Sequence, residues 1–556
     1  MKNLFILFLL SLCLTSFQIK AQAPFNTMDS VDINKIHAGV LVHGDMWWDP
    51  VNENTQCDLY GVEHYNINFV GAIWMSGYDA GNNLHISAQT NRQTGNDYWP
   101  GPLDPSGALT YSISQKWAKI WKVNGTDVQY FNSLSTHTIA NTPPAILTWP
   151  GKGNTYAQGN GGAALTITYD MAPFVDLNGN GVYEPLLGEY PDFIGDQALW
   201  WVFSDNGPTH SETHGTPLGV EIHAMAYAYS RGTLIDNVIY YDYTIINKSA
   251  NNYHNFLFAL WDDVILGFYL NDFIGFDSIR RLGICYYGTN DDGAGGGHPV
   301  NSYGSNSPVV GVTMISLPGD VGTTYVPTGS FDYYNNDQSG IGKPMVDTEY
   351  NNYMRARLRN GQHFTDDFTG PHNQSKGYGS GPDCNYVFTG DPSDSTQWSE
   401  CACNNVPGDR RFIFASNDFT LNAGSTQHVV MALVATDTGD GGCPQASFAK
   451  IRIVTDTAWN VYYNPLTPLY RSAPTGTTNI STYPNPTHDL LYIEDKLHNL
   501  DAASVTIYNF IGEVINIPIH KNGQRLELDI SHLPTGLYNA LYHNGTVQTS
   551  TKFLKE

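Results

Sequence analysis

Positive charge is scarce in this sequence. Lysine and arginine together number 27 against 52 aspartates and glutamates, a formal net charge of -25. A surface of that sign repels nucleic acid and anionic membranes and attracts divalent cations, so nucleic acid is excluded as a partner. Charge of either sign is sparse, at 14% of residues, which argues against solvated helical bundles and against charged disorder. Long apolar runs are missing beyond the N-terminus. No other stretch of about 18 apolar residues occurs, so no later segment reads as a membrane-spanning helix. The Gly-x-Ser-x-Gly elbow of serine hydrolases is absent; "GYGSGPD" lacks its first glycine at the needed spacing. There is no paired Cys-x-x-Cys, no internal repeat and no low-complexity tract.

What the chain has in quantity is glycine (54), tyrosine (35) and proline (30). That mix predicts many short strands joined by turns. At 556 residues there is room for two to four domains. The first 23 residues read as an export signal. Lys2 supplies the positive end, Leu4 to Leu14 an apolar run too short to span a bilayer, and Ala21 to Ala23 small residues for cleavage. Pro24 is an unfavourable residue to follow the cut. Cys13 sits inside the apolar run after Leu12, where a lipid-attachment motif needs a small residue, so no lipid anchor is expected.

Six cysteines remain after removal of the signal: Cys57, Cys285, Cys384, Cys401, Cys403 and Cys443. An even number in an exported chain predicts disulfides, and at least one bridge is expected among the four between Cys384 and Cys443. A zinc site at "CAC", 401–403, is the weaker reading.

The C-terminal end carries the most specific pattern. After the polar linker 471–482 the sequence alternates as strands do in Leu490–Ile493, Val505–Tyr508, Leu526–Ile530, Leu537–Tyr542 and Val547–Phe553. Gly512, Asn522-Gly523, Pro534–Gly536 and Asn544-Gly545 punctuate it. Such a segment predicts a small immunoglobulin-like β-sandwich. The order of its motifs is "TYPNP" (Tyr483 to Pro486 at its core), "IYNFIGEVI", "LPTGLY" and a last basic strand ending "KFLKE". In this order residues 483–556 resemble the type A C-terminal sorting domain of the type IX secretion system. The resemblance implies an address read by outer-membrane machinery, usually cleaved, with the passenger released or attached to surface lipopolysaccharide.

The passenger, residues 24–470, is expected to be a β-rich unit of antiparallel sheets with few helices. One helix is predicted where Phe448, Ile451, Val454, Ala458 and Val461 recur at spacings of three and four. "IWMSGYDAGNNLHISAQTNRQTGNDYWPGPLD", "APFVDLNGNGVYEPLLGEYPDFIGDQALWWVFSD", "GTPLGVEIHAMAYAY" and "GDRRFIFASNDFTLNAGSTQHVVMALVA" resemble a large group of secreted proteins that carry the same sorting domain. That group has no assigned function, so the resemblance implies one integrated β-rich unit and no reaction.

Four sets of residues are candidates for chemistry. In "DLNGNGVYEP" the side chains of Asp176, Asn178 and Asn180, the Val182 carbonyl and Glu184 have the alternation of a calcium loop, and Gly181 permits its turn. Leu187 stands where an EF-hand needs its closing carboxylate, so Glu184, Glu189, Asp192 or Asp196 must complete the shell. Structural calcium of modest affinity is expected; an Asx-turn closed by hydrogen bonds is the alternative. A second acidic set comprises Asp262, Asp263, Asn271, Asp272 and Asp277, near Asn290 to Gly293. The related proteins tend to carry a further acid where Ile265 stands, which weakens a metal reading there. His210, Glu212, His214 and His223 contain two histidines four apart, but the flanking glycines and prolines oppose the helix that a zinc pair needs. Trp47, Trp48, Trp74, Trp99, Trp200 and Trp201 could stack on carbohydrate. Adjacent pairs point to opposite faces of a strand, so at least half are expected in the core.

Two functions follow as expectations. The first is a non-enzymatic structural, adhesive or binding protein stiffened by disulfides and calcium. The second is a secreted hydrolase of polysaccharide, which requires two carboxylates facing across a cleft. A carbohydrate-binding module without catalysis is a third.

Overall fold

A computed structural model of the protein describes residues 25–59, 66–91, 95–289, 303–304, 307–321, 324–336, 341–437, 442–468, 470, 480–495, 504–508, 514–522, 525–543 and 548–555. The signal segment 1–23, most of the linker 471–482 and the acids of 290–293 lie outside the described residues.

Two large antiparallel sheets dominate the passenger. The strand Val238–Asn247 sits in the middle of a nine-stranded sheet, between Val220–Ala228 and Thr426–Ala435; Gln197–Ser204 lies one strand further out. A six-stranded sheet is built around Tyr253–Asp263, flanked by Val70–Tyr78 and Arg410–Ser416. The two-residue period of a strand decides which core each side chain joins. Leu199, Trp201 and Phe203, with Ile222, Ala224, Tyr241, Tyr243, Met431 and Leu433, share one core with Phe258, Leu260 and Phe414 of the six-stranded sheet. Their sequence neighbours Ala198, Trp200, Val202, Tyr227, Tyr240, Val430 and Ala432 face the other way, into a second core. The expectation for the Trp200-Trp201 pair is met: one ring enters each core.

The second core is closed by the helix Ala449–Tyr463, which buries Ile451, Val454, Thr455, Ala458 and Val461 as the spacing predicts. Burying each larger aliphatic side chain is worth about 1.5–3 kcal/mol. Polar contacts fix the helix in register: the Tyr240 hydroxyl donates to the Ala458 carbonyl at 2.8 Å, and the Trp459 indole N–H to Thr313 Oγ1 at 2.9 Å. A disulfide joins Cys401 to Cys443, both packed against the same core. The bridge expected in the 384–443 cluster is therefore present, and it uses one half of "CAC".

The C-terminal segment forms two four-stranded antiparallel sheets. One contains Leu490–Asp495 and Arg525–Asp529, the other Ser504–Tyr508, Gly536–His543 and Gln548–Lys555. Leu491, Ile493, Leu526 and Leu528 from the first meet Ile507, Tyr538, Ala540, Tyr542 and Phe553 from the second in a single core. The Tyr-Pro-Asn-Pro entry is tied to the last strand, where the Leu554 amide donates to Asn485 Oδ1 at 2.9 Å and the Thr487 amide to the Leu554 carbonyl at 2.8 Å.

Candidate binding groove

The outward face of the nine-stranded sheet is not fully covered. Between the segment 170–194 and residues 465–468, which follow the long helix, lies a cavity of about 690 Å³. Its floor is set by strand register. His223 pairs with Thr244, and Thr244 with His428, so the two imidazoles and the hydroxyl form one row across three strands. The next row along the same face holds Met225 and Asp242. Met171, Phe193, Ile194, Ile246 and Leu466 supply apolar walls, with the ring of Trp200 at 5.7 Å from that of His223.

Each imidazole is held by a carboxylate. His223 Nε2 lies 2.8 Å from Glu221 Oε1, its neighbour two residues earlier on the same strand face. Glu221 is fully buried yet well solvated by protein: the Tyr169 hydroxyl donates to both carboxylate oxygens at 3.1 Å, and the Leu103 amide to Oε2 at 2.9 Å. Lys248 Nζ is 3.8 Å from the same carboxylate and 4.5 Å above the Tyr169 ring. Burial, with the Glu221 charge beside it, pushes the Tyr169 phenol well above its ordinary range. Across the sheet His428 Nε2 is 2.5 Å from Asp242 Oδ1, a hydrogen bond that raises the imidazole above its usual value. Beyond Tyr169, a second cavity of about 400 Å³ is lined by Leu103, Trp117, Ile167 and Lys248 and shares Met171 with the first.

The calcium candidates occupy a separate loop on a short ladder between Phe174–Val175 and Tyr190–Pro191. The Asp176 carboxylate accepts the amides of Gly181 and Gly179, both at 2.7 Å, and these bonds hold its carboxyl below the usual range. Asn178 and Asn180 each accept the amide two residues on, that of Val182 in the second case, and both donate side-chain N–H to Glu184 Oε2, at 2.9 and 2.7 Å. Gly179 and Gly181 have φ of 74° and 72°, the left-handed region glycine favours. Of the alternative closing acids, Glu189 is buried and clasps the loop's base, taking the amides of Leu177 and Glu184. Asp192 lines the groove, and Asp196 pairs with Arg231.

The other sequence candidates are dispersed. Asp263 pairs with Arg411 at 2.7 Å and Asp277 with Arg452 at 2.7 Å, while Asp262 accepts the Asn68 side-chain N–H and Asp272 the Leu266 amide, both acids lying near the buried Cys285. His214 is exposed, whereas Glu212 is buried against Thr90 and Tyr350. His210 lies 3.3 Å from Ser87 Oγ and 3.5 Å from Asp97, the outline of a nucleophilic triad. The Ser87 hydroxyl, however, donates to Asp205 at 2.6 Å, and Ser87 and Asp97 are fully buried. Such a serine has no face to present to a substrate. Among the described residues no group of three or more His, Cys, Asp or Glu has metal-binding geometry. Trp47, Trp48, Trp74, Trp99, Trp200 and Trp201 are all buried, which removes them as an exposed stacking platform.

Sequence reading reached His223 only as part of a weak zinc pattern. The usable signal was local: in "GVEIH" a Glu and a His two apart in a strand share a face. His428 and Asp242 carry no such signal, because 186 residues separate them.

Comparison with known families identifies the C-terminal segment. Residues 481–556 match the secretion system C-terminal sorting domain. The protein is thus cargo of the type IX secretion system, exported across the outer membrane to the cell surface or the extracellular space. No helix among the described residues is long and apolar enough to cross a membrane. No curated protein matches the chain. Among solved structures a polysaccharide lyase is matched at 10% identity with a TM-score of 0.15, over 60% of this chain and 34% of that one. The chain thus spans about a third of that lyase, and a likeness so low carries no argument.

Proposed function

We propose that the passenger is a non-enzymatic binding protein, released or held at the cell surface, whose ligand occupies the groove on the nine-stranded sheet. The observation that carries this is the engagement of the two acids that hold the groove's imidazoles. Asp242 lines the groove, whereas Glu221 lies behind its lining. Each is also committed to an imidazole, which suits a fixed polar floor under an apolar ligand better than bond cleavage. The test is incubation of the purified exported protein with a polysaccharide panel. No new reducing ends and no unsaturated products are expected; products that disappear in His223→Gln would overturn the reading.

The loop at Asp176 supports a second element of this proposal, structural calcium. Asp176, Asn178, Asn180, Glu184 and the Val182 carbonyl would supply an all-oxygen donor set of the kind calcium takes. The two asparagine amides already converge on Glu184 Oε2. A cation there would take over the role of their N–H groups and brace the loop next to the 170–194 wall of the groove. Calcium titration by calorimetry on the full exported chain, with Asp176→Ala as control, tests it. Attachment to lipopolysaccharide and recognition of carbohydrate rest on the resemblance of the tail and on its export alone.

A further inference from the structure

We infer, on the reading of the groove as a binding site, that its ligand is an uncharged apolar molecule bearing a hydroxyl group, which it donates to Nδ1 of His223. The tautomer of that imidazole is set from behind the lining. Glu221 accepts the Tyr169 hydroxyl and the Leu103 amide and lies 3.8 Å from Lys248 Nζ, and each of these neighbours is a donor. Burial and the adjacent charge keep the Tyr169 proton on its oxygen. A carboxylate so placed accepts, and Nε2, facing it at 2.8 Å, carries the His223 proton. Nδ1 is then the lone-pair acceptor of the ring. It has no hydrogen-bond partner among the described residues, and the side chain, 9% exposed, lines the cavity. A ligand that sealed the groove without a donor would strand that acceptor, whereas one that brings an O–H satisfies it.

The surroundings favour a neutral molecule. The carboxylates of Asp170 and Asp242 are already matched, the first by Lys152 at 3.0 Å and the second by His428. A charged ligand would leave water without gaining an uncommitted counter-charge from these groups. Thr244 stands beside His223 in the cross-strand row and lines the same floor. Its hydroxyl can donate to the ligand oxygen while that oxygen donates to Nδ1. Adjacent strands lie about 4.8 Å apart, so a single oxygen reaches both. Ile194, Met225, Ile246 and Leu466, each partly exposed on the lining, receive the apolar body. The cavity of about 690 Å³ has the size of a small-molecule site.

The experiment compares three probes of like shape, 2-naphthol, 2-methoxynaphthalene and 2-naphthoate, by calorimetry on the full exported chain. The naphthol is expected to bind about ten-fold tighter than its methyl ether, the effect of one hydrogen bond to a desolvated acceptor, and tighter than the carboxylate. His223→Phe keeps a ring and removes the acceptor, so the naphthol should lose its advantage while the ether binds as before. If His223→Phe does not fold, nitrogen-15-labelled histidine in the wild type carries the test: the Nδ1 resonance of His223 should move upfield with the naphthol and not with the ether. Met225→Trp, which sets an indole on the floor, should weaken all three probes together. Equal binding of naphthol and ether, tighter binding of the naphthoate, an advantage that survives His223→Phe, or an unmoved Nδ1 resonance overturns the ligand class. The groove stands in those cases provided Met225→Trp still weakens binding. Absence of binding by any probe, or binding unchanged in Met225→Trp, overturns the class and the groove together.

Discussion

His223 and His428 stand in one cross-strand row with Thr244 between them, and each is held through Nε2 by an acid of the same sheet face. Nothing local in the sequence brings them together. The row exists because three strands pair in one register, and a slip by one residue would turn one imidazole into the opposite core.

The first expectation concerns pH. The Asp242 hydrogen bond raises the folded-state value of His428 above the usual 6.5. The protonated pair therefore stabilises the fold fully below about pH 6.5, and that contribution is lost as pH rises through the raised value. The His428 side chain is 46% exposed, so screening limits the effect to roughly 0.5 kcal/mol. Melting temperatures of wild type and Asp242→Asn across pH 5 to 9 should differ most at the acid end and converge at the alkaline end. A gap that widens with pH would contradict the pairing.

The Cys401–Cys443 bridge closes a span of 42 residues. In the chain-entropy treatment, a loop of that length stabilises by about 4 kcal/mol. Reduction, or the double change Cys401→Ser with Cys443→Ser, should lower the denaturation midpoint accordingly. Thiol titration of the unfolded, unreduced mature protein should find fewer than six thiols; six would disprove the bridge.

For the Asp176 loop, calcium at a hundredfold excess over its dissociation constant should stabilise the folded chain by about 2.7 kcal/mol. Chelator should lower the melting temperature of wild type and leave Asp176→Ala unchanged, with secretion intact in both. An identical melting temperature with and without chelator would leave the loop a hydrogen-bonded turn.

Removal of residues 481–556 should leave the passenger in the periplasm, as fractionation and immunoblotting would show. Within the tail, Leu528→Ala should cost about 2–5 kcal/mol, since Leu528 is fully buried between the two sheets. Secretion should fall with it.

The sequence by itself determined the address, the strand texture, one helix and the two-faced placement of Trp200 and Trp201. These features are carried by local order: motif succession in the tail, two-residue and 3.6-residue periods, and turn residues between them. It also placed a disulfide in the right cluster by compartment and count. The groove was decided by tertiary structure. Its floor comes from strands beginning at residues 220, 238 and 426, its walls from 170–194 and 465–468, and no periodicity within one element encodes which carboxylate will face which imidazole. Burial likewise was settled only by packing. A tryptophan in a sequence is equally able to floor a cleft or fill a core, and here two stacked layers of sheet and helix took all six of those that composition had offered for carbohydrate.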